Sequence, residues 1–196
     1  MSNELIKRII SSLVLLPLSL FFIIKGSILF VLFISFCFVL ISFEWHMMAK
    51  KRSYYFFGYF FLFFSFYSIY SLRNQFEGEY IYLLLITSIC VSTDIGGYIF
   101  GKLFKGPKLT KFSPNKTYSG MIGAYVISIL VSLVLFNHDF ILENSAETNL
   151  SSIFFVFIVS TISQIGDIII SYFKRLANIK DTGKILPGHG GLLDRV

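Results

Sequence analysis

Six long apolar runs constrain the fold of this 196-residue chain more than any other feature. A helix rises about 1.5 Å per residue, so it needs about 20 apolar residues to cross about 30 Å of hydrocarbon. The runs that approach this length are Ile9–Ile24, Ser27–Phe43, Tyr54–Leu72, Tyr80–Phe100, Gly120–Phe136 and Ile153–Phe173. The pattern predicts an all-α, polytopic integral membrane protein with about six transmembrane helices, in a single membrane-embedded domain over residues 1–196.

The first two runs are short, and a tight turn at residues 25–27 joins them. They predict either a hairpin of two thin spans or a partly re-entrant pair. Composition supports the membrane class, because 55% of the residues are hydrophobic and only 14% are charged, whereas a soluble domain carries about 25% charged residues. The net charge is +6, but the basic residues do not form a stripe interleaved with aromatic residues. Nucleic acid is therefore not an expected partner.

Basic residues are distributed unevenly among the segments that join the runs. If the N-terminus is cytosolic, fifteen of the seventeen Lys and Arg residues lie on the cytosolic side, and only Lys25 and Arg73 lie outside. The outer segments carry acidic residues instead: Glu77, Glu79, Asp139, Glu143 and Glu147. The positive-inside rule therefore predicts six spans with cytosolic N- and C-termini.

Two acidic residues, Asp94 and Asp167, interrupt the fourth and sixth runs near their predicted cytosolic ends. A charge at bilayer depth costs at least about 2.5–3.5 kcal/mol, so such residues usually face a helix bundle or a polar cavity. Helical spacing places Asp94 on one face with Gly97, Tyr98 and Gly101. The alternatives are a structural interhelical hydrogen bond for Asp94 and close helix packing for the two glycines. The acids are also compatible with an ion-coupled transporter, although no paired repeat is evident.

The C-terminal segment, residues 171–196, concentrates basic residues, aspartates and glycines. Lys and Arg bind phosphate oxygens, and glycines let backbone N–H groups approach a phosphate closely. Aspartates hold Mg²⁺ beside substrate phosphates. The segment therefore predicts metal-assisted nucleotide chemistry at the inner membrane surface. A basic segment that only contacts anionic lipid would explain the Lys and Arg, but not the glycines and the spaced aspartates.

Two blocks of residues have a specific spacing. The first reads Ser171-x-x-Lys174-Arg175, Lys180-Asp181-x-Gly183, Leu186-Pro187-Gly188-His189-Gly190-Gly191 and Asp194-Arg195. The second reads Asp94-x-x-Gly97-Tyr98-x-x-Gly101-Lys102 with Ser113-Pro114-x-Lys116-Thr117-x-x-Gly120. Both blocks, together with the pair Gly166-Asp167, resemble the bacterial phosphatidate cytidylyltransferase (CDP-diacylglycerol synthase) family. The resemblance covers the chain from about residue 90 to its end, and the first three runs match only in general character.

The resemblance implies that CTP and phosphatidate are the substrates and that CDP-diacylglycerol and pyrophosphate are the products. It implies Mg²⁺ as cofactor, with Asp167 and Asp181 as its ligands. Catalytic roles are implied for Asp94, Asp167, Lys174, Arg175 and Asp181. Substrate-binding roles are implied for Tyr98, Lys102, Lys116, Lys180, His189, Gly190, Gly191, Asp194 and Arg195.

The same resemblance implies a multi-pass protein of the bacterial inner membrane, in contact with the lipid bilayer. A homodimer is an assembly that such a chain could form. An alternative enzyme activity is that of a CTP-dependent lipid kinase, which would release CDP instead of pyrophosphate.

Two departures from the family stand out. Ile170 occupies a position where the family usually has Glu, and the sequence stops at Val196, where the family continues. The second departure predicts either a fragment or a truncated copy.

Overall fold

A computed structural model describes residues 3–74, 80–110, 113, 116–137, 150–183, 185 and 190–194. Over these ranges the chain is helical, with one isolated antiparallel bridge between Lys108 and Thr117. The helices are α1 (Asn3–Lys25), α2 (Ser27–Ala49), α3 (Tyr55–Asn74), α4 (Ile81–Phe104), α5 (Tyr118–Asn137) and α6 (Leu150–Leu176). The predicted all-α class is confirmed.

Among the described helices, α2 to α6 are each long and apolar enough to cross a membrane, whereas the apolar part of α1, Leu13–Lys25, is shorter. The predicted polytopic membrane architecture is therefore confirmed. The second run was predicted to end at Phe43, but α2 continues to Ala49. The helix continues because Glu44, Trp45 and Met48 are buried instead of facing solvent.

The outer surface of the helices is apolar and aromatic. Phe56 is 80% exposed, and Phe60 and Phe63, on the same helix, are 71% and 65% exposed. Contiguous apolar surface of this kind is rare on soluble monomers, and it suits lipid, because every backbone group of a helix is satisfied within the helix. The exposed phenylalanines therefore mark α3 as a lipid-facing span.

The chain divides into two compact units: unit 1 is Met1–Tyr80 with Lys174–Val196, and unit 2 is Ile81–Phe173. Within unit 1, the turn between α1 and α2 is closed by Gly26, whose φ is 61°. The Arg73 guanidinium packs directly against this glycine, and its Nε donates to the Ile23 carbonyl at 3.0 Å. A side chain at position 26 would collide with Arg73, so the turn requires glycine.

The contact between α2 and α3 in unit 1 is built around one tryptophan. Trp45 Nε1 donates to the Tyr55 carbonyl at 3.0 Å, and its ring covers Gly58, which has no Cβ to obstruct it. The indole N–H thus gains a partner while the ring fills the interhelical space. This contact fixes the C-terminal part of α2, where Glu44 lies.

Unit 2 is held by close backbone contact between the antiparallel helices α4 and α5. A Cβ added to Gly96 would lie 2.5 Å from the Gly123 carbonyl oxygen, and one added to Gly120 would lie 2.7 Å from the Gly97 carbonyl oxygen. Small residues at such a contact let membrane helices approach closely without a hydrophobic driving force. The packing interpretation of Gly97 and Gly101 is confirmed, because Gly97 faces Gly120 and Ala124 of α5, and Gly101 faces Gly120 and the preceding Thr117.

Helices α4 and α6 run in the same direction. Thr93 Oγ1 donates to Ser160 Oγ at 2.9 Å, and four residues earlier on each helix Ile89 and Val156 share a hydrophobic cluster. Tyr125 of α5 joins α6 through a hydrogen bond of 3.0 Å between its hydroxyl and that of Thr161. Hydroxyl pairs between helices thus tie unit 2 together.

Substituting Gly96 with Leu is expected to destabilise unit 2 strongly. The new side chain would meet the Gly123 backbone and the Ile127 Cβ, and overpacking of a tight contact costs about 1–3 kcal/mol or more. Thermal unfolding in detergent, followed by near-ultraviolet circular dichroism, should show a lower Tm. Gly166→Ala is the matched control, because a Cβ at that position has no neighbour within 4 Å. Equal melting temperatures for the two variants would contradict the packing.

Candidate active site

Asp194 organises the described part of the C-terminal segment in unit 1. Its Oδ1 accepts a hydrogen bond from Lys174 Nζ at 2.7 Å, and the side chains of this ion pair are only 15% and 6% exposed for the lysine and the aspartate. Its Oδ2 accepts the backbone N–H groups of Thr182 at 2.9 Å and of Gly191 at 3.1 Å. Asp194 therefore joins the end of α6 to both arms of the loop.

The surroundings of Asp194 favour its ionised form. Burial opposes ionisation, but the hydrogen bonds from Lys174 and from the Thr182 backbone, together with the lysine charge and the Gly191 N–H, hold the pKa of Asp194 below its usual value. Hydrogen bonds to a carboxylate act in this direction. Asp194 is therefore ionised at neutral pH and can keep its contact with Lys174.

The loop backbone brings predicted site residues together around Asp194. Gly190 has a φ of 93°, and a Cβ there would lie 3.2 Å from Asp194 Oδ2 and 3.4 Å from the Asp181 Cβ. This backbone conformation favours glycine. Lys174, Asp181, Gly190, Gly191 and Asp194 are therefore assembled in one place, as the sequence blocks predict. Because the Gly191 N–H is bonded to Asp194, the structure uses that amide to hold the loop.

Glu44 is a buried residue of this loop region that the sequence analysis missed. It is 2% exposed and accepts hydrogen bonds from the Thr182 hydroxyl and from the backbone N–H groups of Leu192 and Leu193. Asp94 and Asp167 were identified because they interrupt apolar runs, whereas Glu44 directly follows a run that was predicted to end at Phe43; extending that run to the end of α2 would have found it.

A second polar cluster lies in unit 2, where Lys116 Nζ donates to Asp167 Oδ2 at 2.7 Å. The lysine lies just before α5, in a tight loop in which the Leu109 N–H donates to the Lys116 carbonyl at 2.8 Å. The two side chains are 28% and 49% exposed. The pair is thus accessible to a polar ligand, and it brings together two residues that belong to different predicted motifs.

The remaining predicted residues of α4 lie on its exposed side. Tyr98 is 68% exposed, and Lys102 Nζ lies 3.5 Å from its hydroxyl and 5.6 Å from its ring centroid. Asp94 is also exposed, one turn before Tyr98. Asp94 and Tyr98 therefore flank the glycine contact with α5 instead of being buried in it.

The other predicted cations extend from the end of α6. Arg175 and Lys180 are exposed, and Arg175 Nη1 lies 3.4 Å from the Ile179 carbonyl. Exposed guanidinium and ammonium groups of this kind suit phosphate oxygens. His189 and Arg195, which were also predicted as substrate-binding residues, lie outside the described residues.

The predicted metal ligands belong to different units, Asp167 to unit 2 and Asp181 to unit 1. Over the described ranges, no group of three or more His, Cys, Asp or Glu side chains is placed to hold a metal ion. Mg²⁺ does not require such a group, because it is commonly held by one or two carboxylates together with substrate phosphates and water. Both aspartates are exposed, so their oxygens fit a hard cation.

The fold and these clusters define a class: a polytopic membrane protein with a lysine–aspartate cluster in each of its two units. A model of the cytidylyltransferase family matches residues 50–196, and the chain belongs to this family. A protein of Rickettsia typhi named phosphatidate cytidylyltransferase is 37% identical over 195 residues, covering 96% of this chain and 84% of that protein.

Two further relatives carry the same name. The protein of Rickettsia felis is 34% identical over 192 residues, covering 96% of this chain and 84% of the relative. The protein of Rickettsia conorii is 45% identical over 116 residues, covering 58% of this chain and 50% of the relative. Similarity to the first relative therefore extends over almost the whole chain, including the first helices.

Proposed function

We propose that this chain transfers the cytidylyl group of CTP to phosphatidate, forming CDP-diacylglycerol and pyrophosphate. The observation that carries the proposal is the 37% identity to a phosphatidate cytidylyltransferase over 96% of the chain. The clusters around Asp194 and Asp167 support it, because they combine lysines, carboxylates and, at Asp194, a loop that contains glycines. Phosphoryl-group transfer depends mainly on positioning and on charge stabilisation, and these residue types supply both.

In the reaction, a phosphate oxygen of phosphatidate attacks the α-phosphorus of CTP. The bond from this phosphorus to the oxygen that bridges to the β-phosphorus breaks, and pyrophosphate leaves with the electron pair. The enzyme needs no covalent intermediate. Its task is to hold two polyanions together, which the exposed Lys102, Arg175 and Lys180 favour by neutralising phosphate charge.

Asp167 and Asp181 are the residues that we propose to bind Mg²⁺ through their carboxylate oxygens. The bound ion would neutralise charge on the phosphate oxygens of the substrate. Lys116, which contacts Asp167 at 2.7 Å, supplies a positive charge at the same carboxylate. The Asp194–Lys174 pair orients the loop that carries Asp181 and Gly190.

The proposed setting is the bacterial inner membrane, with both termini and the two clusters on the cytosolic side. The support is the distribution of basic residues, which the positive-inside rule relates to orientation. Cysteine labelling from each side of sealed vesicles tests this orientation. A cysteine introduced in place of Lys180 is expected to react only from the cytosolic side. Size measurement in lipid nanodiscs tests the homodimer, which we propose as the assembly.

The decisive assay supplies purified protein with phosphatidate, Mg²⁺ and CTP labelled in the cytidine. Label is expected in a chloroform-soluble product, with one pyrophosphate released for each product formed. Release of CDP with an unlabelled lipid product would instead identify a lipid kinase. Solute uptake into proteoliposomes without nucleotide turnover would identify a transporter, and either result would overturn the proposal.

A further inference from the structure

Glu44 is a carboxylate for which the proposed reaction has no direct use. It lies near the C-terminal end of α2, 2% exposed, and outside the residues 50–196 that the family model matches. A buried carboxylate is costly unless its oxygens are hydrogen-bonded. The hydrogen-bond partners of Glu44 therefore indicate its role.

The described partners of Glu44 all come from the C-terminal loop. Oε2 accepts the Thr182 hydroxyl at 3.0 Å and the Leu193 N–H at 2.8 Å, and Oε1 accepts the Leu192 N–H at 2.9 Å. The partners are 138 to 149 residues away in sequence. One side chain thus holds both the beginning and the end of the loop.

Two glycines let the loop backbone close around this carboxylate. A Cβ on Gly183 would lie 2.6 Å from Glu44 Oε1, and a Cβ on Gly191 would lie 2.6 Å from Oε2. A Cβ at either position would force the Glu44 side chain or the loop to shift. These glycines are therefore needed for packing against Glu44.

The loop that Glu44 holds is the same loop that carries the proposed phosphate chemistry. The Thr182 and Gly191 backbone N–H groups donate to Asp194 Oδ2, and Lys174 bonds the other oxygen of that carboxylate. Asp181 immediately precedes Thr182, and Gly190 immediately precedes Gly191. A shift of the Glu44 contacts would therefore move Asp181 and Gly190 directly.

We propose that Glu44 is the positioning residue of the active-site loop, a carboxylate on α2 that sets the placement of Asp181 and Gly190 for the phosphates of CTP. The inference rests on the proposed function. Because Glu44 is buried, it acts through Thr182, Leu192 and Leu193 and does not touch the substrate. Misplacement of reacting groups by about 1 Å can cost about 100-fold in rate.

The main test is Glu44→Gln, which keeps the shape but replaces one acceptor oxygen with an NH₂ donor. That donor would face either the Leu192 N–H or the pair formed by Thr182 and Leu193, so at least one contact is lost. We expect kcat/KM for CTP to fall about 100-fold. Hydrogen exchange should quicken by about tenfold or more in peptides covering residues 190–194 and stay unchanged in peptides from α4 and α5.

A second pair of variants separates positioning from folding. Thr182→Val removes one hydrogen bond to the carboxylate, and we expect about a tenfold loss of kcat/KM for CTP. Thr182→Ser keeps the hydroxyl and should stay within about twofold of wild type. Phe43→Leu is the control on α2, because Phe43 is 60% exposed and adjacent to Glu44, and it should not change activity or exchange.

The outcomes are distinguishable from failure of the proposed function. If wild-type protein makes no CDP-diacylglycerol, the proposed function fails, while the exchange data still decide whether Glu44 holds the loop. If Glu44→Gln retains wild-type kcat/KM for CTP, or if its loop exchanges as slowly as in wild type, the inference is overturned. If Glu44→Gln does not fold, equal activity of Thr182→Val and Thr182→Ser overturns it.

Discussion

Replacing Asp167 with Asn is expected to reduce CTP turnover by at least about 100-fold while the protein remains folded. The carboxylate is 49% exposed and bonded to Lys116, so its removal disturbs little packing. It does remove the negative charge proposed to hold Mg²⁺, and loss of one charge-stabilising group at a reacting centre commonly costs about 100- to 1,000-fold. Lys116 would then lack its counterion but would remain hydrated.

The measurement is steady-state turnover of labelled CTP in mixed micelles over a range of Mg²⁺ concentrations. Asp181→Asn forms a parallel arm with the same expectation, since Asp181 is also an exposed carboxylate. Glu143→Gln removes a carboxylate from a segment that the charge pattern places on the outer side, and it should behave as wild type. Normal turnover in both aspartate variants would rule out the proposed metal ligands.

Replacing Asp194 with Asn is expected to abolish activity and to loosen the C-terminal loop. Lys174 is only 15% exposed, and breaking a buried ion pair by removing one partner costs about 3–5 kcal/mol because an unpaired charge remains. The amide also cannot accept all the donors that now bond the carboxylate. Hydrogen exchange in residues 190–194, followed with CTP turnover, measures both effects.

The double variant Lys174→Met with Asp194→Asn sharpens this test. Because it leaves no unpaired buried charge, it should recover part of the loop stability that the single variant loses. Activity should not recover, since the loop still lacks the bonds from Thr182 and Gly191 to a carboxylate. If the stability loss of the double variant equalled the sum of the losses in Lys174→Met and Asp194→Asn alone, the pair would contribute no coupling energy.

The pH dependence of the loop follows from the same residue. The folded-state pKa of Asp194 lies below its ordinary value of 3.8, so the unfolded loop binds a proton more readily than the folded one. The stabilisation is therefore complete above pH 3.8 and is lost as the pH falls through the lower folded-state pKa. The Asp194→Asn variant should not show this loss of loop stability as the pH falls.

The sequence predicted those parts of the site whose residues lie close together along the chain. The residues around Asp181, Gly190 and Asp194 are close in sequence, so their assembly needs only one loop. The helices were predictable because apolar length decides membrane spans. The first three runs showed no specific motif. The second of them was predicted to end at Phe43, six residues before the end of α2 at Ala49.

Long-range pairings could not be predicted in the same way. Lys116 and Asp167 are 51 residues apart, and spacing along a helix says nothing about which loop lysine will reach an acid on another helix. Glu44 and Thr182 are 138 residues apart, and their contact depends on how unit 1 packs its two chain segments. Only the three-dimensional structure supplies these partners.

The Lys116–Asp167 pair gives the resting protein a built-in counterion that can be exchanged. Ion pairs this accessible to solvent contribute only about 0–1 kcal/mol, so separating them takes little energy. If Mg²⁺ binds at Asp167 as we propose, the carboxylate would hold the ion, and the Lys116 ammonium group would become available to a substrate phosphate. The lysine would thus serve as counterion to the carboxylate in one state and to a phosphate in the other.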